Sequence, residues 1–330
     1  MLAFGSRKSS WGRRRLGRVD ERLFDFGVGR DIETICVAPN FGGGGEGEIF
    51  QGCIRFLPGL VGVSMMRPFS FLPTLALGAA LILQPMTARA EPAYALDSRN
   101  LLLRFDTNSP GFVESTQVIR GLAPGESILG IDFRPANATL YGLGSTSRLY
   151  VIDVMTGQAR ALGTGPFTPA LEGTEFGFDF NPTVDRIRVV SNTGQNLRLH
   201  PDTGATAAVD LRLNQDGVAR PTVVAAAYTN SVAGATTTTL YTIDAETRAL
   251  QTQVPPNDGK QNVVGMLNMD MSELAGFDIS PMTGMAFVAS RVRGSNASAL
   301  YQVNLVSATV MLLGVFDRAD QVSGLALPAR

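Results

Sequence analysis

The sequence has 330 residues, 45% hydrophobic and 17% charged, with 28 Lys plus Arg against 29 Asp plus Glu. That composition belongs to a globular chain rather than a disordered one. Both cysteines (Cys36, Cys53) and the single tryptophan (Trp11) fall in the first 53 residues, and His200 is the single histidine, so thiolate zinc sites, histidine-rich metal sites, Cys-His nucleophiles and disulfide frameworks are nearly excluded.

Residues 1–64 carry a basic run at 12–18 and a glycine run at 42–45, with no sustained apolar period. They read as a disordered upstream extension produced by a start assigned too early, with initiation at Met65 or Met66. The rival reading is a cytoplasmic extension that turns the segment 69–83 into a signal anchor. A twin-arginine signal is disfavoured, because Val19, Asp20, Glu21 and Arg22 follow the arginines where an apolar stretch is required. From Met65 the chain runs MMRPFSFLPTLALGAALILQPMTARA, with a basic Arg67, an apolar stretch at 69–83, and Ala88 and Ala90 flanking Arg89. This is the pattern of a secretory signal with an A-x-A cleavage site. The apolar stretch falls short of the roughly 20 residues a membrane-crossing helix needs. Residues 65–90 are therefore expected to be a signal peptide cleaved after Ala90, with no stable membrane insertion afterwards. Residues 91–330 are expected in the periplasm or the extracellular space.

That mature segment has 240 residues (330 less 90), with 22 acidic and 17 basic side chains and no cysteine. Its net negative charge argues against a nucleic-acid partner. Its stability must come from packing, which a chain of this length supplies.

In chain order, the mature segment opens with three β-rich stretches, 93–96, 101–106 and 112–118. A repeat follows: GIDFRP at Gly130, GFDFNP at Gly177, a degenerate AAAYTN at Ala225, GFDISP at Gly276 and GLALP at Gly324, spaced by 47, 48, 51 and 48 residues. In three of the four full units a second apolar segment clearly follows, at 139–143, 186–190 and 285–289. A third contains Leu149 and Tyr150, Leu197 and Arg198, Leu240 and Tyr241, or Leu300 and Tyr301, and a fourth short one follows a polar turn. Four short strands per unit, separated by Gly, Pro, Asn and Asp, predict a four-stranded antiparallel sheet. A period near 48 predicts propeller blades. The last unit stops after one strand and the mature N-terminus supplies three. The expected fold is thus all-β, a five-bladed β-propeller closed by pairing of N- and C-terminal strands. A β-sandwich, an open solenoid or a ring of six or seven blades are the alternatives.

The segment GFDFNPTVDRIRVVSNTGQNLRLHPDTGA, residues 177–205, resembles an uncharacterised bacterial family, domain of unknown function 4394. The likeness spans roughly residues 95–327. It implies an exported, propeller-like domain and no particular activity or catalytic residue.

Two groups of side chains stand out against the repeat. Aligning the units on their motifs sets Tyr141 and Phe287 against Arg188, then Tyr150, Tyr241 and Tyr301 against Arg198, and Ile152, Ile243 and Val303 against His200. Arg188, Arg198 and His200 therefore form a candidate cationic cluster facing Asp179 or an acidic ligand. The alternative has Arg188 and Arg198 on an outer strand with their heads in water. Asp132, Asp179 and Asp278 recur at the third position of the first strand, near the expected central channel. Convergent carboxylates there would hold calcium or act as acid and base, or would accept hydrogen bonds from backbone amides. Ala227 and Ala326 occupy the same place in two units. The segment 214–217 (NQDG) lacks the later acidic ligand of a calcium loop and reads as a turn. The resulting expectation is a non-enzymatic module that binds a small molecule, glycan or protein, with the loops 163–175 and 255–273 as its contact surfaces. A metal-dependent hydrolase or lyase using the channel carboxylates is the alternative.

Overall fold

The computed structural model describes residues 33–35, 54–56, 90–217, 222–269, 275–291, 295, 297–317 and 321–329. The chain divides into two compact units, Met1–Leu81 and Ile82–Arg330. In the first, the strands Glu33–Ile35 and Ile54–Phe56 pair antiparallel. The rest of the expected upstream extension, and the expected signal peptide up to residue 89, lie outside the described residues. No helix among the described residues is long and apolar enough to cross a membrane.

The second unit is a ring of five four-stranded antiparallel sheets. Blade 1 comprises Ile128–Arg134, Thr139–Gly144, Arg148–Ile152 and Ala159–Ala161; blade 2, Phe176–Asn181, Arg186–Ser191, Asn196–Leu199 and Thr206–Val209. Blade 3 comprises Val223–Tyr228, Leu240–Asp244, Ala249–Gln253 and Gln261–Met266; blade 4, Ala275–Ile279, Ala286–Arg291, Ser298–Val303 and Val310–Val315. Blade 5 joins Val322–Ala326 from the C-terminal end to Pro92–Asp97, Leu101–Asp106 and Val113–Val118 from the other end. Leu325 pairs with Ala95, and Leu96 with Leu102, so the two ends share one sheet as the repeat predicts.

Burial grades outward along each blade. The innermost strands are buried on both faces, as in Ala275–Ile279, whereas the outermost strand Val113–Val118 alternates between half-buried and exposed positions. The sequence mirrors this gradient, since inner strands read as near-continuous apolar runs and the outer VESTQV alternates. Five apolar clusters lie between successive blades rather than within them. The inner strands approach closely because small residues recur at their first repeat position. A Cβ on Gly177 would lie 2.6 Å from the Cβ of Ala226, and one on Gly276 would lie 2.5 Å from the backbone of Gly324. Farther out, the end of one blade meets the third-to-fourth turn of the next: Arg120 N–H donates to Gly157 O at 2.9 Å, and Leu211 N–H to Asn257 O at 3.0 Å.

The strand register corrects two sequence expectations. In blade 3 the first hairpin spans the eleven residues 229–239, so Leu240 and Tyr241 sit on the second strand, with Tyr241 opposite Ala227. Tyr241 is therefore the counterpart of Arg188, which sits opposite Asp179. In blades 1 and 4 the Leu-Tyr pairs are one residue out of step: Tyr141 faces Val151, Phe287 faces Gln302, and Arg188 faces Arg198. The counterparts of Arg198 are Val151 and Gln302, with Thr252 in blade 3, and a one-residue slip of this kind moves a side chain to the opposite face. The expected loop 255–273 also contains the outer strand Gln261–Met266.

Ring closure depends on the last strand. A chain ending at Gln321 should lose its single cooperative thermal transition by circular dichroism, and a synthetic peptide of residues 322–330 should restore it. Cooperative melting of the truncated chain at an unchanged midpoint would contradict this.

Candidate functional site

Asp132, Asp179 and Asp278 converge at the axis. All three are buried, and one carboxylate oxygen from each lies within 4.8 Å of the others. Each follows two small or apolar residues on an innermost strand, and the amide of the next residue points away from its own sheet. These inner-strand amides line the axis and need acceptors.

The carboxylates provide them. Asp132 accepts from Phe133 N–H and, with its other oxygen, from Phe180 N–H in blade 2, both at 2.7 Å. Asp179 accepts from Tyr228 N–H in blade 3 at 3.0 Å. Asp278 accepts from Ile279 N–H and from Leu327 N–H beside blade 5, both at 2.6 Å. Five amides at equivalent positions thus share three carboxylates. Blades 1 and 4 follow the blades that carry Ala326 and Ala227. There, the blade's own aspartate turns one oxygen back to the amide its predecessor leaves without an acceptor. The two alanines are thereby compensated.

No charged side chain among the described residues hydrogen-bonds these carboxylates. Burial pushes the Asp132 carboxyl up to about 7. Burial, then the charges of Asp132 and Asp278, holds Asp179 well above the usual carboxylate range. Asp278 shifts the same way through burial, Asp132 and, to a lesser extent, Glu91. The axial cavity, lined by Gly130, Gly177, Ala226, Gly276 and Leu325 among others, measures about 10 Å³, room for about one water molecule. Asp132, Asp179 and Asp278 are the residues that would hold a cation. They offer calcium three groups where it takes six to eight oxygens, and five of their bonds already go to amides.

The other candidate residues separate. Arg188 is 1% exposed, so its head does not reach water. It donates to Asp210 Oδ2 at 2.6 Å, Asn196 Oδ1 at 2.7 Å, Asn257 Oδ1 at 2.8 Å and Tyr228 OH at 3.3 Å. Arg198, partly exposed, grips both oxygens of the same Asp210 at 2.8 Å. The acid that joins the two arginines is therefore Asp210, not Asp179. Asp210 lies just past the outer strand Thr206–Val209, where the repeat gives no signal for it. Asn196 Nδ2 extends the network to Leu211 O and Pro256 O, so polar bonds tie blade 2 to blade 3. Among the described residues, the apolar cluster between those blades has six buried members, Val190, Leu213, Val223, Ala226, Tyr228 and Leu240.

His200 takes no part in this network. It opens the third-to-fourth turn of blade 2, where its Nδ1 accepts from Asp202 N–H at 3.2 Å. Asp153 and Asn304 open the corresponding turns of blades 1 and 4 and accept from Met155 N–H at 2.8 Å and Val306 N–H at 2.9 Å. The histidine is a turn cap of the kind its siblings make with shorter side chains.

Comparison with known proteins adds the following. A family model described as Domain of unknown function (DUF4394) matches residues 101–326. No curated protein matches the chain in sequence. Similar solved structures include Myxococcus xanthus glutaminyl cyclase, at 13% identity over 70% of this chain and 96% of that one, with a TM-score of 0.45. A nidogen/laminin complex gives 12% identity over 73% and 99%, with a TM-score of 0.41. A protein of unknown function from Bacteroides thetaiotaomicron gives 15% over 72% and 62%, with a TM-score of 0.43.

The axial carboxylates generate a pH dependence. With a native pKa near 7 for Asp132 against 3.8 for an ordinary aspartate, the folded chain holds more protons than the unfolded one between those values. Asp132 therefore makes stability fall as pH rises through that window. Asp179→Asn keeps an acceptor for Tyr228 and removes a group whose ionisation the buried site opposes, so its melting midpoint should fall less between pH 4.5 and pH 8 than that of the unmodified protein. A variant less stable at pH 8 by the same margin as at pH 4.5 would contradict the electrostatic reading.

Proposed function

For a chain that belongs to the domain of unknown function 4394 (DUF4394) family, we propose an exported, non-enzymatic binding module of the periplasm or extracellular space, engaging a glycan, small molecule or protein through surface loops. Fold alone does not supply that reading. The observation that carries it is the closed axis: a cavity of about 10 Å³ is far below the roughly 300–1,000 Å³ of ordinary ligand pockets. In this reading a ligand meets the protein off the axis, on its outer surface.

The segment 163–175 between blades 1 and 2 is the favoured contact surface. Most of it is exposed, yet it is held in one shape. Buried Phe167 anchors it and donates its N–H to Ser147 O at 2.7 Å, Leu171 N–H donates to Ser147 Oγ at 3.0 Å, and Gln195 Nε2 donates to Ala170 O at 2.8 Å. An exposed loop fixed before binding loses little conformational freedom when a partner docks. The start of the other expected surface, 255–260, is likewise fixed and mostly exposed, held to the Arg188 network through Asn257.

The competing reading, a metal-dependent hydrolase or lyase, draws on the spacing of Asp132, Asp179 and Asp278. Calcium titration followed by thermal melting separates the two. A site with Kd of about 10 μM would add about 2.7 kcal/mol at 1 mM calcium, several degrees of midpoint for a domain of this size. The binding-module reading expects a change below about 1 °C. A several-degree rise that Asp179→Asn abolishes would favour the metal-dependent enzyme. Cell fractionation should recover the protein outside the cytoplasm, and cytoplasmic retention would count against export.

A further inference from the structure

Blade 5 differs from its siblings at one corner. In blades 1 to 4 a covalent hairpin joins the first and second strands, whereas in blade 5 those strands come from opposite ends of the chain. Glu91 stands in this gap, one residue before the strand Pro92–Asp97. It is 2% exposed, while Ala90 before it is exposed.

Every hydrogen-bonding group of Glu91 has a partner. Its carboxylate accepts from Ser280 Oγ–H and Thr283 Oγ1–H, on the first hairpin of blade 4. Those two hydroxyl oxygens also accept the hairpin's own amides, from Met282 at 3.1 Å, Thr283 at 3.1 Å and Met285 at 3.3 Å. Its N–H donates to Thr107 Oγ1 at 3.1 Å, and its carbonyl accepts from Thr107 N–H at 2.9 Å. On the other side of the gap, Leu327 N–H is bound by Asp278 of blade 4. Both ends of the ring are thus fastened to the neighbouring blade rather than to each other by a turn.

We infer that the Ala90–Glu91 peptide bond is a proteolytic processing site and that Glu91, as the first residue of the processed chain, is the latch that replaces the missing hairpin. The inference rests on the exported reading above. Two independent features meet at this bond: Ala88 and Ala90 in the sequence, and the switch from exposed to buried in the structure. Hydrolysis adds water across the amide, so that Ala90 leaves as the carboxylate end of the leader and Glu91 keeps an ammonium. That ammonium retains N–H donors for Thr107 Oγ1. A cut one residue later would remove the latch, and one before Arg89 would leave two residues trailing from the corner.

The test expresses the full chain in an exporting bacterial host and reads the N-terminus of the recovered protein by sequencing and intact mass. The expected first residue is Glu91. An exported protein beginning anywhere else overturns the inference and leaves export standing, whereas a cytoplasmic protein still carrying residues 65–90 overturns both. In parallel, Glu91→Ala, which leaves Ala88 and Ala90 in place, should lower the melting midpoint by about 5 °C or more, as loss of two bonds to a charged group requires. Glu91→Gln, which keeps one acceptor oxygen, should give a smaller drop and remains measurable if the alanine variant does not fold. Midpoints unchanged to within about 1 °C in both variants would overturn the latch.

Discussion

Five backbone N–H groups converge on an axis too narrow to hydrate them, and much of the architecture follows from how they find acceptors. The narrowness itself comes from small residues at the first repeat position, where a Cβ on Gly177 or Gly276 would overlap the next blade. Each buried amide left without a partner would cost about 1–3 kcal/mol. Aspartate at the third repeat position answers that cost, because each carboxylate serves the next strand and those of Asp132 and Asp278 serve their own as well. The solution carries a second cost, since three carboxyl groups within 4.8 Å of one another cannot all be charged cheaply in a buried site. Proton retention near neutral pH is the consequence.

The same logic explains why the interfaces between blades are not alike. Four of them hold broad apolar clusters, while blades 2 and 3 combine a smaller one with the bonds of Arg188. A buried guanidinium is tolerated only when its donors are matched, and removing one partner would leave charge uncompensated. Asp210 answers the charge, and Asn196, Asn257 and Tyr228 take the remaining bonds. This ties the 254–260 turn to blade 2 while most of its residues stay exposed.

Much of the fold was legible in the sequence because each repeated residue meets a repeated physical demand. Glycine recurs where inner strands touch, aspartate where amides need acceptors, and the head and tail of the chain complement each other in strand count. The misreadings also have physical causes. Blade 3 carries an eleven-residue first hairpin in place of a short one, which pushed Tyr241 onto a different strand from the one its neighbours suggest. The Leu-Tyr pair of blade 1 looks like Leu197 and Arg198 but sits one residue earlier in a hairpin of the same length, with Tyr141 facing Val151 as Arg188 faces Arg198, while in blade 4 a longer hairpin sets Phe287 against Gln302. Asp210 and Glu91 lie outside the strands and have no counterpart in other units, so no alignment of repeats could reveal them.

Amide hydrogen exchange resolved by residue addresses the axial bonds most directly. Phe133, Phe180, Tyr228, Ile279 and Leu327 should be among the slowest amides in the protein. In Asp132→Ala, Phe133 and Phe180 should exchange faster while Leu327, held by Asp278, stays protected. Rapid exchange at these five positions in the unmodified chain, or equal acceleration at all five in the variant, would contradict the account.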